Sequence, residues 1–124
     1  MSNFYTDNPD IEKTIDAIGL EEVAALKEEG LRFAAEFPFA PSDVADAIDN
    51  YKRALAVCGD IAGNRIAQTA EETDRTGNIL NDDGSVTYTP GIAKAISLLG
   101  RSRLSGCTIP YRLGGLNMPC TILT

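Results

Sequence analysis

The sequence predicts an all-α fold, a bundle-like packing of helices with a short hairpin or loop near residues 78–89. Three observations carry that prediction. Apolar residues recur at helical spacing in several stretches, most of them opened by a cap residue or a proline and closed by a glycine. Aromatic content is only 6% and there is no Trp, so Ala, Leu, Ile and Val must fill the core, which favours close helix packing over a sheet sandwich. The chain of 124 residues suits one domain, 1–124, and its 44% hydrophobic content is enough to offset the entropy of ordering it.

The elements follow in order. Residues 8–18 read as a short helix, with Asn8 as cap, Pro9 at the first position and Gly19 beyond the end. Ile11, Ile15 and Ile18 form its apolar stripe. A second helix is expected from Leu20 to about Glu36, its apolar positions including Leu20, Val23, Ala24, Leu26, Leu31 and Phe33, with Gly30 marking a break or a close packing point. Phe37 and Phe39, between Pro38 and Pro41, read as plugs against the core. The strongest signal starts at Ser42, read as a cap before Asp43 and Asp46. Val44, Ile48, Tyr51, Leu55, Cys58, Ala62 and Ile66 keep one continuous face, and the helix is expected to run to Asp74 or Arg75 and stop at Gly77. Asp49 with Arg53 and Glu71 with Arg75 are supporting pairs at i,i+4. Gly59 and Gly63, four apart inside this helix, predict the close approach of another helix backbone. Asp83-Gly84 signals a hairpin turn. Thr89 and Pro90 then open a helix with Ile92, Ala95, Ile96, Leu98 and Leu99 on its apolar side, ending near Gly100 or Gly106. Cys107 to Pro119 is a turn punctuated by proline and glycine, and residues 119–124 read as the start of a further helix, which suggests a truncated chain.

Charge and composition exclude several functions. Net charge is −7, which argues against a nucleic-acid partner, because phosphate binding needs Lys and Arg. All eighteen acids lie at or before Asp83, and after Ser85 the only charges are Lys94, Arg101, Arg103 and Arg112. No apolar run is long enough for a membrane span, and the N-terminus lacks the basic and apolar regions of a signal peptide. Three irregularly spaced cysteines, Cys58, Cys107 and Cys120, fit core thiols in a reducing compartment, with a cytoplasmic location as the default, and fit neither a disulfide frame nor a zinc site. The absence of His removes the usual general base and the commonest metal ligand. The acids near residues 81–83 are too few for an EF-hand, so no metal is expected. The acid pairs Glu21-Glu22, Glu28-Glu29 and Glu71-Glu72 read as solvated helix faces, since adjacent helical residues do not face each other. Gly114-Gly115 lacks the third glycine and the strand context of a dinucleotide loop and reads as a turn needing positive φ. No residue of the chain is matched to a catalytic or cofactor-binding role.

Two stretches resemble the acyl-CoA dehydrogenase family. Arg65-Ile-Ala-Gln-Thr-Ala-Glu-Glu-Thr-Asp-Arg-Thr-Gly77 is similar to the end of the family's long N-terminal helix, with Gln68 where a proline is usual. Leu104-Ser-Gly-Cys-Thr-Ile-Pro-Tyr-Arg-Leu-Gly-Gly-Leu-Asn-Met-Pro119 resembles its Pro…Gly-Gly-Leu-Gly turn, with Asn117 where glycine is commoner. Phe4-Tyr-Thr-Asp-Asn-Pro-Asp10 looks like the start of a subgroup of the family whose polypeptide chains are long. The resemblance implies the family's N-terminal helical domain, which helps to wall the acyl pocket of an FAD-dependent enzyme that dehydrogenates acyl-CoA thioesters and passes electrons to an electron-transfer acceptor. It implies a homo-oligomer, with FAD and the catalytic carboxylate held by parts of the enzyme outside this chain. Alone, the chain is expected to be inactive, to bind no cofactor and to expose an apolar patch, the Ile122-Leu123 turn contributing most. Tyr111 and Leu113, in the turn at residues 109–119, are the candidate substrate-binding residues. A free-standing helical module for protein–protein interaction is the alternative.

Overall fold

The computed structural model describes residues 2–122 and has five α-helices and one two-stranded hairpin. Helix α1 spans Pro9–Ala17 and α2 Leu20–Lys27; α3 spans Val44–Ile61 and α4 Ala70–Thr76. Strands β1 (Ile79–Leu80) and β2 (Val86–Thr87) pair antiparallel with Ile79 opposite Thr87, and α5 spans Pro90–Arg101. The expected all-α fold and its hairpin are therefore both present.

The caps behave as their chemistry dictates. The Asn8 side chain accepts from Asp10 N–H with Pro9 at the first helical position, and Thr89 accepts from Ile92 N–H ahead of Pro90. At α3 the cap is one residue later than expected. Asp43, not Ser42, accepts from Asp46 N–H at 2.8 Å, while the Asp46 carboxylate reaches back to Ser42 N–H at 3.0 Å. The reciprocal pair satisfies two N–H groups where the sequence suggested one. Both i,i+4 ion pairs form, Arg53 with Asp49 and Arg75 with Glu71.

Two expected helices are shorter than the sequence suggests. The second ends at Lys27, because Glu29, Gly30 and Leu31 all take positive φ, and only a single 3-10 turn, Arg32–Ala35, follows. The long helix continues its path beyond Ile61 but passes through a π turn (Ala62–Ile66) and a 3-10 turn (Ala67–Thr69) before α4. An extra residue per turn followed by a tighter turn keeps the path while shifting the face. Of the predicted stripe Tyr51 is buried, while Val44, Ile48, Leu55, Cys58, Ala62 and Ile66 are half-buried.

Gly59 and Gly63 do face a close approach, but not that of a helix. The N-terminal segment Ser2–Tyr5 crosses α3 here. A Cβ on Gly59 would lie 2.1 Å from Asn3 Oδ1 and 2.6 Å from Tyr5 N, and one on Gly63 would lie 2.2 Å from Ser2 O. The crossing is stitched by Phe4 N–H to Gly59 C=O (3.1 Å), Asn3 Nδ2 to Ala56 C=O (2.9 Å) and Ser2 N–H to Asn64 Oδ1 (2.8 Å). Tyr5 is thereby delivered into the core, beside Ile15, Leu20, Ala24, Ala47, Tyr51, Cys107, Met118 and Ile122. The core thus joins the N-terminal segment, the first three helices and the C-terminal loop.

Several expected core positions lie outside it. Leu26 is 80% exposed and Phe39 57%, and α5 contributes no buried residue. Cys120 is exposed and Cys58 half-buried, so of the three cysteines only Cys107 is a core thiol. Ile122 is buried in the cluster rather than part of an exposed patch; Leu123 lies outside the described residues. Cys120–Ile122 forms one 3-10 turn, and the rest of the expected terminal helix also lies outside the described residues.

Gly59→Ala is expected to destabilise the chain by about 1–3 kcal/mol, because the methyl must displace backbone rather than a flexible side chain. Gly100→Ala in α5 meets nothing within 4 Å and should stabilise by up to about 1 kcal/mol. Urea unfolding of both variants checks the pair; a Gly59→Ala chain as stable as its parent would exclude the close crossing.

Candidate functional site

The densest chemistry lies where the C-terminal end of α2 meets the loop at residues 107–119. Leu20, Ala24 and Glu28 step by four along one face of α2 and beyond its end, and all three are buried. Glu28 is therefore no solvated acid: it is 1% exposed, a correction to the reading of the Glu28-Glu29 pair. Its Oε1 accepts from the Tyr111 hydroxyl at 3.1 Å and from Asn117 Nδ2 at 3.5 Å, and the same Nδ2 group donates to Lys27 C=O at 3.1 Å. Two segments more than eighty residues apart are joined at one carboxylate.

The loop is built to present those partners. Gly114 takes φ +85°, and a Cβ on Gly115 would lie 2.0 Å from Ile109 C=O. Asn117 takes φ +53°, a conformation that Asn tolerates better than most residues, which accounts for an Asn where the resembling turn favours glycine. Asn117 N–H donates to Ile109 C=O at 2.9 Å and Met118 N–H to Cys107 C=O at 2.8 Å, closing the loop on itself. The N–H groups of Gly114 and Gly115 are spent on Tyr111 and Pro110 C=O. The Gly-Gly turn therefore has no free N–H pair to cradle a phosphate, and it does not fit the pyrophosphate of a dinucleotide or of FAD.

Burial sets the electrostatics. Loss of hydration pushes the Glu28 carboxyl above the usual range, and the hydrogen bonds from Tyr111 and Asn117, with the Lys27 charge, only partly offset it. Burial pushes Tyr51 up to about 12, reinforced by the Glu28 charge, and Tyr111 is raised by burial and then by Glu28. Glu28 Oε2 and the Tyr51 hydroxyl are both buried without a hydrogen-bond partner among the described residues. An unpaired buried carboxylate oxygen favours the protonated acid, so Glu28 is a stability-limiting group, sealed from solvent.

Two grooves flank Tyr111. One, of about 280 Å³, runs between α3 and the C-terminal loop; Phe39, Tyr51, Ala54, Val57, Leu116 and Met118 make it mostly apolar. The other, of about 470 Å³, lies on the opposite side, between the end of α2, the Arg32–Phe37 segment and the Pro110–Arg112 turn. Tyr111 is edge-on to Phe33 and Phe39, at 5.7 and 5.6 Å between ring centres, and tilted against Phe37 at 5.6 Å. Of the two sequence candidates, Tyr111 is buried and lines both grooves, whereas Leu113 is 70% exposed and lines neither. The sequence reading missed Glu28, Tyr51 and Asn117; the signal for Glu28 was its place four residues after Ala24 on an otherwise apolar stripe. Among the described residues no group of three or more His, Cys, Asp or Glu side chains could hold a metal ion, and no helix is long and apolar enough to cross a membrane. No protein-family model, curated protein or solved structure matches the chain.

The sign of the Glu28 effect is fixed. Its pKa is raised on folding, so the stability it contributes is full below the unfolded value and is lost as pH rises through the folded value. The stability of Glu28→Gln relative to the parent should therefore increase from acid to neutral pH. Melting temperatures of both chains across that range check this; parallel profiles would show that folding does not raise the Glu28 pKa. Tyr51→Phe, which deletes a hydroxyl with no partner, should be neutral or stabilising.

Proposed function

We propose that this chain is the helical N-terminal domain of an FAD-dependent acyl-CoA dehydrogenase, a non-catalytic wall for the acyl chain. The observation that carries the proposal is the apolar groove between α3 and the C-terminal loop, floored by Tyr51, Tyr111 and Met118. A cleft of this kind suits a hydrocarbon chain, because it gains from burial while asking for few polar contacts. The resemblance of residues 65–77 and 104–119 to the family supports the same reading, since the second stretch builds one side of that groove. Tyr111 lines it directly. Leu113, beyond its edge, would meet the acyl chain only through a surface supplied by another part of the enzyme.

The chain's own residues bind and exclude water; they do not react. Glu28 is sealed behind Tyr111 and lines neither groove, so it is a structural acid and not a proton acceptor for substrate. In the proposed enzyme FAD would accept the hydride, and the residues that hold it and the catalytic carboxylate would lie outside this chain, in a cytoplasmic homo-oligomer. The alternative, a helical interaction module, is favoured by a different surface. Ile96 on α5 and Leu80 on β1 are 55% and 73% exposed, large apolar side chains left open among the described residues.

The test is to purify the polypeptide as its gene encodes it. The expected result is a flavin absorbance that bleaches on addition of acyl-CoA, with Tyr111→Phe and Leu113→Ala shifting kcat/KM across acyl lengths, within the weak discrimination of about 1–3 kcal/mol per methylene. A colourless protein that reduces no acceptor with any acyl-CoA would overturn the proposal.

A further inference from the structure

The larger cleft beside Tyr111 has a composition the acyl-wall reading does not use. Its walls include Phe33, Phe37 and Tyr111, three of the eight aromatic rings in the chain. Its volume of about 470 Å³ is in the range of small-molecule sites. Three cations and two acids line it. Arg32 is already held by Glu29 at 2.8 Å and lies over the Phe33 ring at 5.1 Å. Lys27, half-buried, and Arg112, exposed, are in no ion pair among the described residues, and the one unpaired acid of the lining is Glu36. Behind the wall, Glu28 faces Lys27 electrostatically but is tied to Tyr111 and Asn117. The lining therefore carries a surplus positive charge on a molecule whose net charge is −7.

The backbone at the cleft is also unusual. Glu29, Gly30 and Leu31 take positive φ in succession, and Asn117 does so on the opposite side. Non-glycine residues in this region cost of order 1 kcal/mol or more each and persist where the surroundings over-determine them. Here they turn the chain sharply after α2, so that Phe33 and Phe37 come back against Tyr111, with Lys27 half-buried in the lining.

We propose that this cleft binds a flat ring bearing an anionic group, the ring against Phe33, Phe37 and Tyr111 and the anion between Lys27 and Arg112. Aromatic walls favour a ring through offset and edge-on contacts, and two cations of the lining that are unpaired among the described residues select the sign of its substituent. The anion is a carboxylate or a phosphate; the shared chemistry is the ring plus the negative charge.

The experiment holds the ring constant and changes the charge. The full chain is titrated by NMR with phenylpropionate, phenylpropanol and phenylpropylammonium, with ringless propionate, with phenyl phosphate and with inorganic phosphate. The expected order is anion, then alcohol, then ammonium, with propionate and inorganic phosphate weaker than their ring-bearing counterparts. Comparing phenylpropionate with phenyl phosphate distinguishes the two anions. Lys27→Gln and Arg112→Gln should each weaken the anionic ligands by up to about fivefold and leave the alcohol unchanged, while Glu36→Gln should tighten them. Equal or better binding of the ammonium, equal binding of the ringless anions, insensitivity to Lys27 and Arg112, or no binding in any arm would each overturn the proposal.

Discussion

One buried carboxylate holds the two ends of this fold in register. The N-terminal helices and the C-terminal loop share few polar contacts, and Glu28 supplies the central one by accepting from both Tyr111 and Asn117. The contact is expensive, because one buried carboxylate oxygen has no hydrogen-bond partner among the described residues. Its return is positional. With the Tyr111 hydroxyl fixed, the ring cannot swing, and that ring is the partition between two grooves. An apolar residue in place of Glu28 could fill the space, but it would leave the buried Tyr111 hydroxyl and the Asn117 amide short of an acceptor.

The second constraint is steric. The first residues of the chain lie across α3 at two glycines, close enough that any side chain there would overlap backbone. This crossing places Tyr5 in the core and covers the segment where α3 gives way to the π turn. The two constraints act on opposite ends of the sequence, and α3 is common to both: one end of it carries the crossing, while Tyr51, further back, packs towards Glu28 and lines the apolar groove.

Legibility in the sequence followed the range of the interaction. Caps and i,i+4 pairs depend on neighbours, and Asn8, Thr89, Asp49–Arg53 and Glu71–Arg75 behave as read. The Asp83-Gly84 turn does too, with Gly84 at φ +80° and Asn81 N–H bonded to Ser85 C=O. Failures came where distant segments decide. Leu26 is apolar but points to solvent, because it stands two residues from Ala24, on the opposite side of α2 from the face that Leu20, Ala24 and Glu28 bury. Glu28 reads as surface by residue type and is buried by its partners, which lie more than eighty residues away. The glycines at 59 and 63 announced a close neighbour without saying which. Of the site, Tyr111 was legible from the shape of its turn; the carboxylate that fixes it was not.

The asymmetry of the molecule follows from the same division. Tyr5, Ile15, Leu20, Ala24, Ala47, Tyr51 and the C-terminal loop share one core. Helix α5 has no buried residue, packing on α4 where Gly91 meets the hydroxyls of Thr73 and Thr69, with Ile96 left outward. The hairpin beside it exposes Ile79, Leu80 and Val86 and is tied to the start of α5 by Thr89 N–H on Asn78 Oδ1. Local stability tracks buried apolar contact, and α4, the two strands and α5 contain no buried residue. The grooves at Tyr111 lie on the better-packed half, where a rigid wall can be held to a fixed shape, and it is this half that the proposed binding roles require.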